Sequence, residues 1–176
     1  QINQFGVITP GGVPVLASYY RRITEFVLAA TDVETNILDP TQGVGVTELP
    51  ANTLQVGSSF VFSAVGIATT DGKNSDLTYR IKFNGSTLVT TGAAQVSGDN
   101  QYHEISVYFT VKSVGATGII CVAGSVRNGN DILPLVYVPS SPIDTTVMNS
   151  LEVTAQWAVP DAGDDLRLGI VNLSSI

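Results

Sequence analysis

Reactive side chains are scarce in this sequence. It has one histidine, His103, one cysteine, Cys121, and one tryptophan, Trp157, in 176 residues. A lone cysteine cannot close an internal disulfide. Cys121 lies in the apolar run Gly118-Ile-Ile-Cys-Val-Ala-Gly124 and reads as a buried structural thiol. A single histidine permits one catalytic dyad at most, and no Ser or Cys sits in a Gly-x-Ser-x-Gly elbow. His103 opens the inward face of a strand while Glu104 points the opposite way, which is the pattern of a structural histidine.

Charge is scarce as well. Only 13% of residues are charged, too few to clothe the solvent faces of long amphipathic helices, so the composition points to β-structure joined by turns. The net charge is −7, and of the eight basic residues only Arg21 and Arg22 are adjacent. Phosphate binding depends on clustered Lys and Arg, so a nucleic-acid partner is not expected. No apolar run approaches the ~20 residues of a membrane-spanning helix, so a membrane partner is not expected either. Asp161, Asp164 and Asp165 share a turn that could collect Ca²⁺, yet their spacing fits no EF-hand loop, and Asp and Gly populate turns anyway. Neither metal nor cofactor is assigned, and no residue is assigned as catalytic.

What is present is strand alternation and turn chemistry. Leu151, Val153, Ala155, Trp157 and Val159 fall on one face, with Glu152, Thr154, Gln156 and Ala158 on the other. That period of two belongs to a half-buried strand. Pro160-Asp-Ala-Gly-Asp164 then turns the chain into 165–173, so 151–173 reads as the closing hairpin of an antiparallel sandwich. Leu77, Tyr79, Ile81 and Phe83 alternate in the same way and run into Asn84-Gly85, the strongest short hairpin signal. His103, Ile105, Val107, Phe109 and Val111 mark another inward face. The segment 19–30 fits helical or strand spacing, and its β-rich surroundings favour a strand. In all, about nine or ten short strands occur at the turn spacing of a sandwich or barrel. Their length suits one domain, 19–176, preceded by an arm over 1–18.

Two stretches are apolar beyond what a two-layer sandwich needs. In 59–69, Phe60, Phe62, Ala64 and Ala68 share one face, and Val61, Val65 and Ile67 the other. The run 119–122 is similarly two-sided, which adds Ile120 and Val122 to the candidate interface residues. A sandwich buries one face of each sheet, so the second face calls for a cover, a subunit contact being the economical one. Arm residues Phe5, Val7, Ile8, Val13, Val15 and Leu16 complete that set. They suit either an arm docked on a neighbour or a first strand folded onto its own domain. Exposed loops at 71–75, 99–102 and 161–164 are the candidates for binding a receptor or glycan.

Three segments carry a family resemblance. Leu49-Pro-Ala-Asn-Thr-Leu-Gln-Val-Gly-Ser-Ser-Phe60, Asp76-Leu-Thr-Tyr-Arg-Ile-Lys-Phe-Asn-Gly-Ser-Thr-Leu88 and Leu151-Glu-Val-Thr-Ala-Gln-Trp157 resemble strand and turn segments of trimeric jelly-roll virion proteins of tailed phages. The resemblance covers roughly 48–173 and contains no catalytic motif. It implies a non-enzymatic jelly-roll homotrimer on the capsid exterior. Such a protein would decorate and cement the capsid by binding the major capsid protein or another virion protein. The alternative it implies is the knob of a head or tail fibre that binds a host-surface glycan. The apolar arm favours decoration, because an arm can thread between capsid subunits.

Overall fold

A computed structural model of the chain describes residues 18–70, 74–135 and 142–176. The arm residues Phe5, Val7, Ile8, Val13, Val15 and Leu16 lie outside the described residues, as does most of the loop 71–75.

The first quarter of the domain forms short strands: β1 (Ser18–Arg22), β2 (Phe26–Ala29), β3 (Thr35–Asn36), β4 (Gly43–Gly45) and β5 (Glu48–Leu49). A single 3-10 turn, Pro40–Gln42, interrupts them, capped by the Asp39 carboxylate, which accepts from Thr41 N at 2.8 Å. Long strands follow: β6 (Ser59–Thr69), β7 (Asn74–Phe83), β8 (Ser86–Ser97), β9 (Gln101–Ser113) and β10 (Gly118–Asn128). The chain ends through β11 (Asp131–Leu135), β12 (Pro142–Ile143), β13 (Asn149–Trp157) and β14 (Asp165–Ser175).

All pairings are antiparallel, and the strands form two sheets. The larger runs β11-β10-β9-β6-β14-β1-β4, with β12 beside β10 and β2 beside β14. The smaller runs β3-β13-β7-β8, with β5 beside β13. The molecule is therefore an all-β sandwich. Alternate residues of each long strand meet between the sheets: Phe60, Phe62, Ile105, Val107, Phe109, Leu166 and Leu168 from one, Leu77, Tyr79, Ile81, Val153 and Trp157 from the other. Trp157 is fully buried, and its indole N–H donates to the carbonyl of Leu28 at 3.3 Å, tying the small sheet to the large one.

The Asn84-Gly85 turn joins β7 to β8 with both residues at positive φ, 48° and 75°, as a two-residue hairpin turn requires. The closing hairpin is not formed. β13 pairs with β7 in the small sheet and β14 with β6 in the large one, so 158–164 is an arch between sheets. Packed sheets lie about 10 Å apart, a span that seven residues cover easily. Ala158 N donates to Asp76 O at 2.9 Å at the start of the arch, and the Asp164 carboxylate accepts from Asp161 N at 2.9 Å near its end. The sequence pattern is the same for a hairpin and an arch, because each strand buries one face in either case.

Segment 19–30 is strand, but in two pieces. β1 and β2 both flank β14, with 23–25 leaving the sheet between them.

Candidate functional site

The two outer faces of the sandwich differ. On the small sheet, Glu34 reaches over β7 and β13: its carboxylate meets Lys82 Nζ at 2.5 Å and Arg80 at 3.6 Å, and accepts the Thr154 hydroxyl proton. Gln156 adds bonds to Arg80 (2.7 Å) and to the Asp32 carbonyl (2.6 Å). Burial alone pushes the Glu34 carboxyl up, but the Lys82 and Thr154 hydrogen bonds outweigh it and hold the group below the usual carboxylate range. Segment 32–36 thus lays satisfied polar groups over β13 and β7, while β8 presents exposed Thr87, Thr90 and Gln95.

The large sheet's outer face is open by comparison. Val61 and Val65 are half-buried, and Ile67 is 37% exposed. The registers set Ile67 opposite Tyr102 and Arg167, and Arg167 opposite Val27. Val61 lies opposite Tyr108, itself exposed. Arg127 packs over the Tyr102 ring at 5.4 Å, and the Tyr102 hydroxyl donates to Glu104 at 3.0 Å. Ile120 and Val122 do not belong to this face. They are buried in the core, opposite Val111 and Phe109, and the outward residues of β10 are Ile119, Cys121 and Ala123. Both parities of 118–124 are apolar, so periodicity could not choose between them; pairing with inward Val111 and Phe109 does. Cys121, half-buried on the outer face, is accordingly not a core thiol.

His103 and Tyr79 meet across the core, with imidazole Nε2 and the phenol oxygen 2.6 Å apart. Burial lowers the His103 pKa to about 4, against a smaller opposing pull from Asn128, and raises that of Tyr79 well above its ordinary value. Among the described residues the hydrogen-bond partner of the imidazole is this buried phenol. Asn128 stands opposite His103 in the register and donates to the Gln95 carbonyl at 2.8 Å. His103 Nδ1 and Asn128 Oδ1 are buried without a bonding partner.

Two of the candidate loops, 99–102 and 161–164, lie at one end. Thr69 pairs with Asp165, which follows the arch, and its hydroxyl accepts from Asn100 N at 3.1 Å, which brings 98–101 beside it. Among the described residues no three His, Cys, Asp or Glu side chains gather as metal ligands would.

A further feature lies on the open face. The β14–β6 register slips between Leu168 and Ile170, a bulge at Gly169. On its other side β14 pairs with β2 up to Leu168 and with β1 only from Asn172. The bulge and the interruption of β1–β2 coincide and leave a depression of about 290 Å³, lined by Arg21, Arg22, Ser63, Asn172, Ile170 and neighbouring backbone. Arg22 is clamped: it donates to the carbonyls of Thr24 (3.1 Å) and Ile37 (3.0 Å) and lies 5.2 Å over the Phe26 ring. Arg21 is exposed. The adjacency of the two arginines is the one local sign of this place in the sequence.

No known protein family, curated protein or solved structure matches this chain. The geometry above therefore stands on its own.

Proposed function

We propose that this chain is a non-enzymatic structural protein of a virus particle. In this reading it is a jelly-roll homotrimer that decorates the capsid exterior, binding the major capsid protein or another virion protein. The observation that carries the reading is the difference in character of the outer faces: the small sheet presents polar groups such as Glu34, Lys82, Thr87, Thr90 and Gln95, while Val61, Val65, Ile67, Tyr102 and Tyr108 stay accessible on the large one. An accessible sheet face of valine, isoleucine and tyrosine is what a subunit or capsid contact would bury. Threefold repetition would multiply modest single-site affinity. The sole histidine, buried against Tyr79, supports a role without catalysis.

Co-sedimentation with undecorated capsids tests the reading. The chain should pellet saturably with particles and raise their thermal disruption temperature, and Ile67→Asp together with Tyr108→Asp should abolish both effects. Unchanged binding by that double variant would move the contact elsewhere. A chain that never associates with capsids would contradict the decoration role.

A second reading, the glycan-binding knob of a head or tail fibre, is favoured by one observation: the arginine-lined depression at Gly169. A glycan array distinguishes the two, since specific binding without capsid association supports the knob.

A further inference from the structure

The depression at Gly169 is one end of a longer polar feature. Register partners across the large sheet place Arg21 opposite Asn172, Asn172 opposite Ser63, Ser63 opposite Ser106, and Ser106 opposite Ser125. All five point outward, since their sequence neighbours Tyr20, Val171, Phe62, Ile105 and Val126 are the buried ones. At ~4.8 Å per strand the row is roughly 19 Å long. Val61 and Tyr108 flank it on one side, and Ile170, Val65 and Glu104 on the other. The Glu104 carboxylate accepts from the Tyr102 hydroxyl, and β6 and β14 lie between it and the strand of Arg21.

We propose that this row binds an acidic saccharide, with the Arg21 guanidinium holding the sugar carboxylate in the gap beside Gly169 and Asn172, Ser63, Ser106 and Ser125 meeting ring hydroxyls. The inference rests on and deepens the glycan-binding reading, and it competes with the decoration reading, which would bury the same face.

The chemistry of each position fits. Among the described residues Arg21 has no ion pair or hydrogen bond, whereas Arg80, Lys82 and Arg167 all have acidic partners. A guanidinium presents a planar fork that matches a carboxylate in two parallel hydrogen bonds. Arg22, of the same strand parity as buried Tyr20, turns its guanidinium to the Ile37 carbonyl and the Phe26 ring, so Arg21 is the charge presented outward, in a chain whose net charge is negative. Hydroxyl and amide side chains donate and accept, as sugar hydroxyls do. Ile170 and Tyr108 offer apolar surface to the C–H faces of a sugar ring. The volume, about 290 Å³, lies at the lower edge of the ~300–1,000 Å³ found for small-molecule sites, which suits one anchored sugar with the rest lying along the open row. Gly169 keeps the gap clear: a Cβ there would meet nothing within 4 Å, so a longer side chain enters open space without disturbing the backbone.

The test is calorimetric titration of the full chain with tetragalacturonate and with sialyllactose, against maltotetraose and tetraglutamate as neutral-sugar and acidic-peptide controls. Saturable binding of at least one acidic saccharide, well above both controls, is expected. Arg21→Ala and, independently, Gly169→Gln should each weaken it about tenfold or more, the loss typical of a charge-assisted hydrogen bond. Arg21→Lys should restore only part, because an ammonium lacks the fork. Circular dichroism and the melting temperature verify that each variant folds. Absence of saturable binding by either acidic saccharide up to roughly 10 mM, a few kcal/mol of affinity, overturns the proposal. Equal binding of tetraglutamate overturns the sugar assignment and leaves a carboxylate site. A drop in oligomer mass in Arg21→Ala without any change in saccharide binding reassigns the row to a subunit contact.

Discussion

Burial of His103 against Tyr79 keeps the imidazole neutral down to about pH 4, whereas in an unfolded chain it titrates near 6.5. The unfolded state therefore binds the proton first. Stability is whole above about pH 6.5 and is lost progressively as pH falls toward 4, by about 3 kcal/mol in all from this one group. Urea unfolding at pH 7 and pH 4 checks this: His103→Gln should lose less stability on acidification than the wild type, by a margin of that order. Equal acid sensitivity would contradict the assignment. Tyr79→Phe leaves imidazole Nε2 buried without a partner and should cost about 1–3 kcal/mol at pH 7, read from the same unfolding curves. The inward position of His103 was legible in its alternation with Ile105 and Val107. Its partner was not, because Tyr79 lies 24 residues away on the other sheet.

At the scale of elements, β14 joins the core to the surface. Gly66 lies opposite Leu168, next to the bulge, and a Cβ at Gly66 would run into the backbone oxygen of Arg167. Gly66→Ala should therefore destabilise by roughly 1–3 kcal/mol through overpacking, while Gly169→Ala, only three residues from Leu166 but facing open space, should change stability by less than about 0.5 kcal/mol. Thermal or denaturant midpoints compare the two directly. The strands of the core were readable from period-two patterns, and the β7–β8 hairpin from Asn84-Gly85. Other features were not readable from local pattern. The arch at 158–164 looks like a hairpin because one buried face does not say which sheet a strand joins. The parity of Ile120 and Val122 was lost in a run apolar on both sides. The row from Arg21 to Ser125 joins residues of five strands separated by long stretches of chain, so it exists only once the registers are set. Removal of residues 1–17 is the element-scale test of the arm: β1 begins at Ser18, so the sandwich should keep its circular dichroism spectrum while capsid binding falls. Capsid binding that survives the truncation would take the arm out of the mechanism.

For the molecule as a whole, the central matter is what meets the large sheet. Among the described residues one outer face of the sandwich is polar and the other presents tyrosine, valine and isoleucine beside a polar row. Fold class was legible in the sequence because composition and alternation both favour strands. Assembly was not, because a residue outward from its own core looks the same whether water or a neighbour covers it. Light scattering after size exclusion, on the full chain over a range of concentrations, tests the assembly most directly. The account predicts a mass near three times 18.5 kDa. A mass of 18.5 kDa at every concentration would contradict the preassembled trimer on which the decoration role is built.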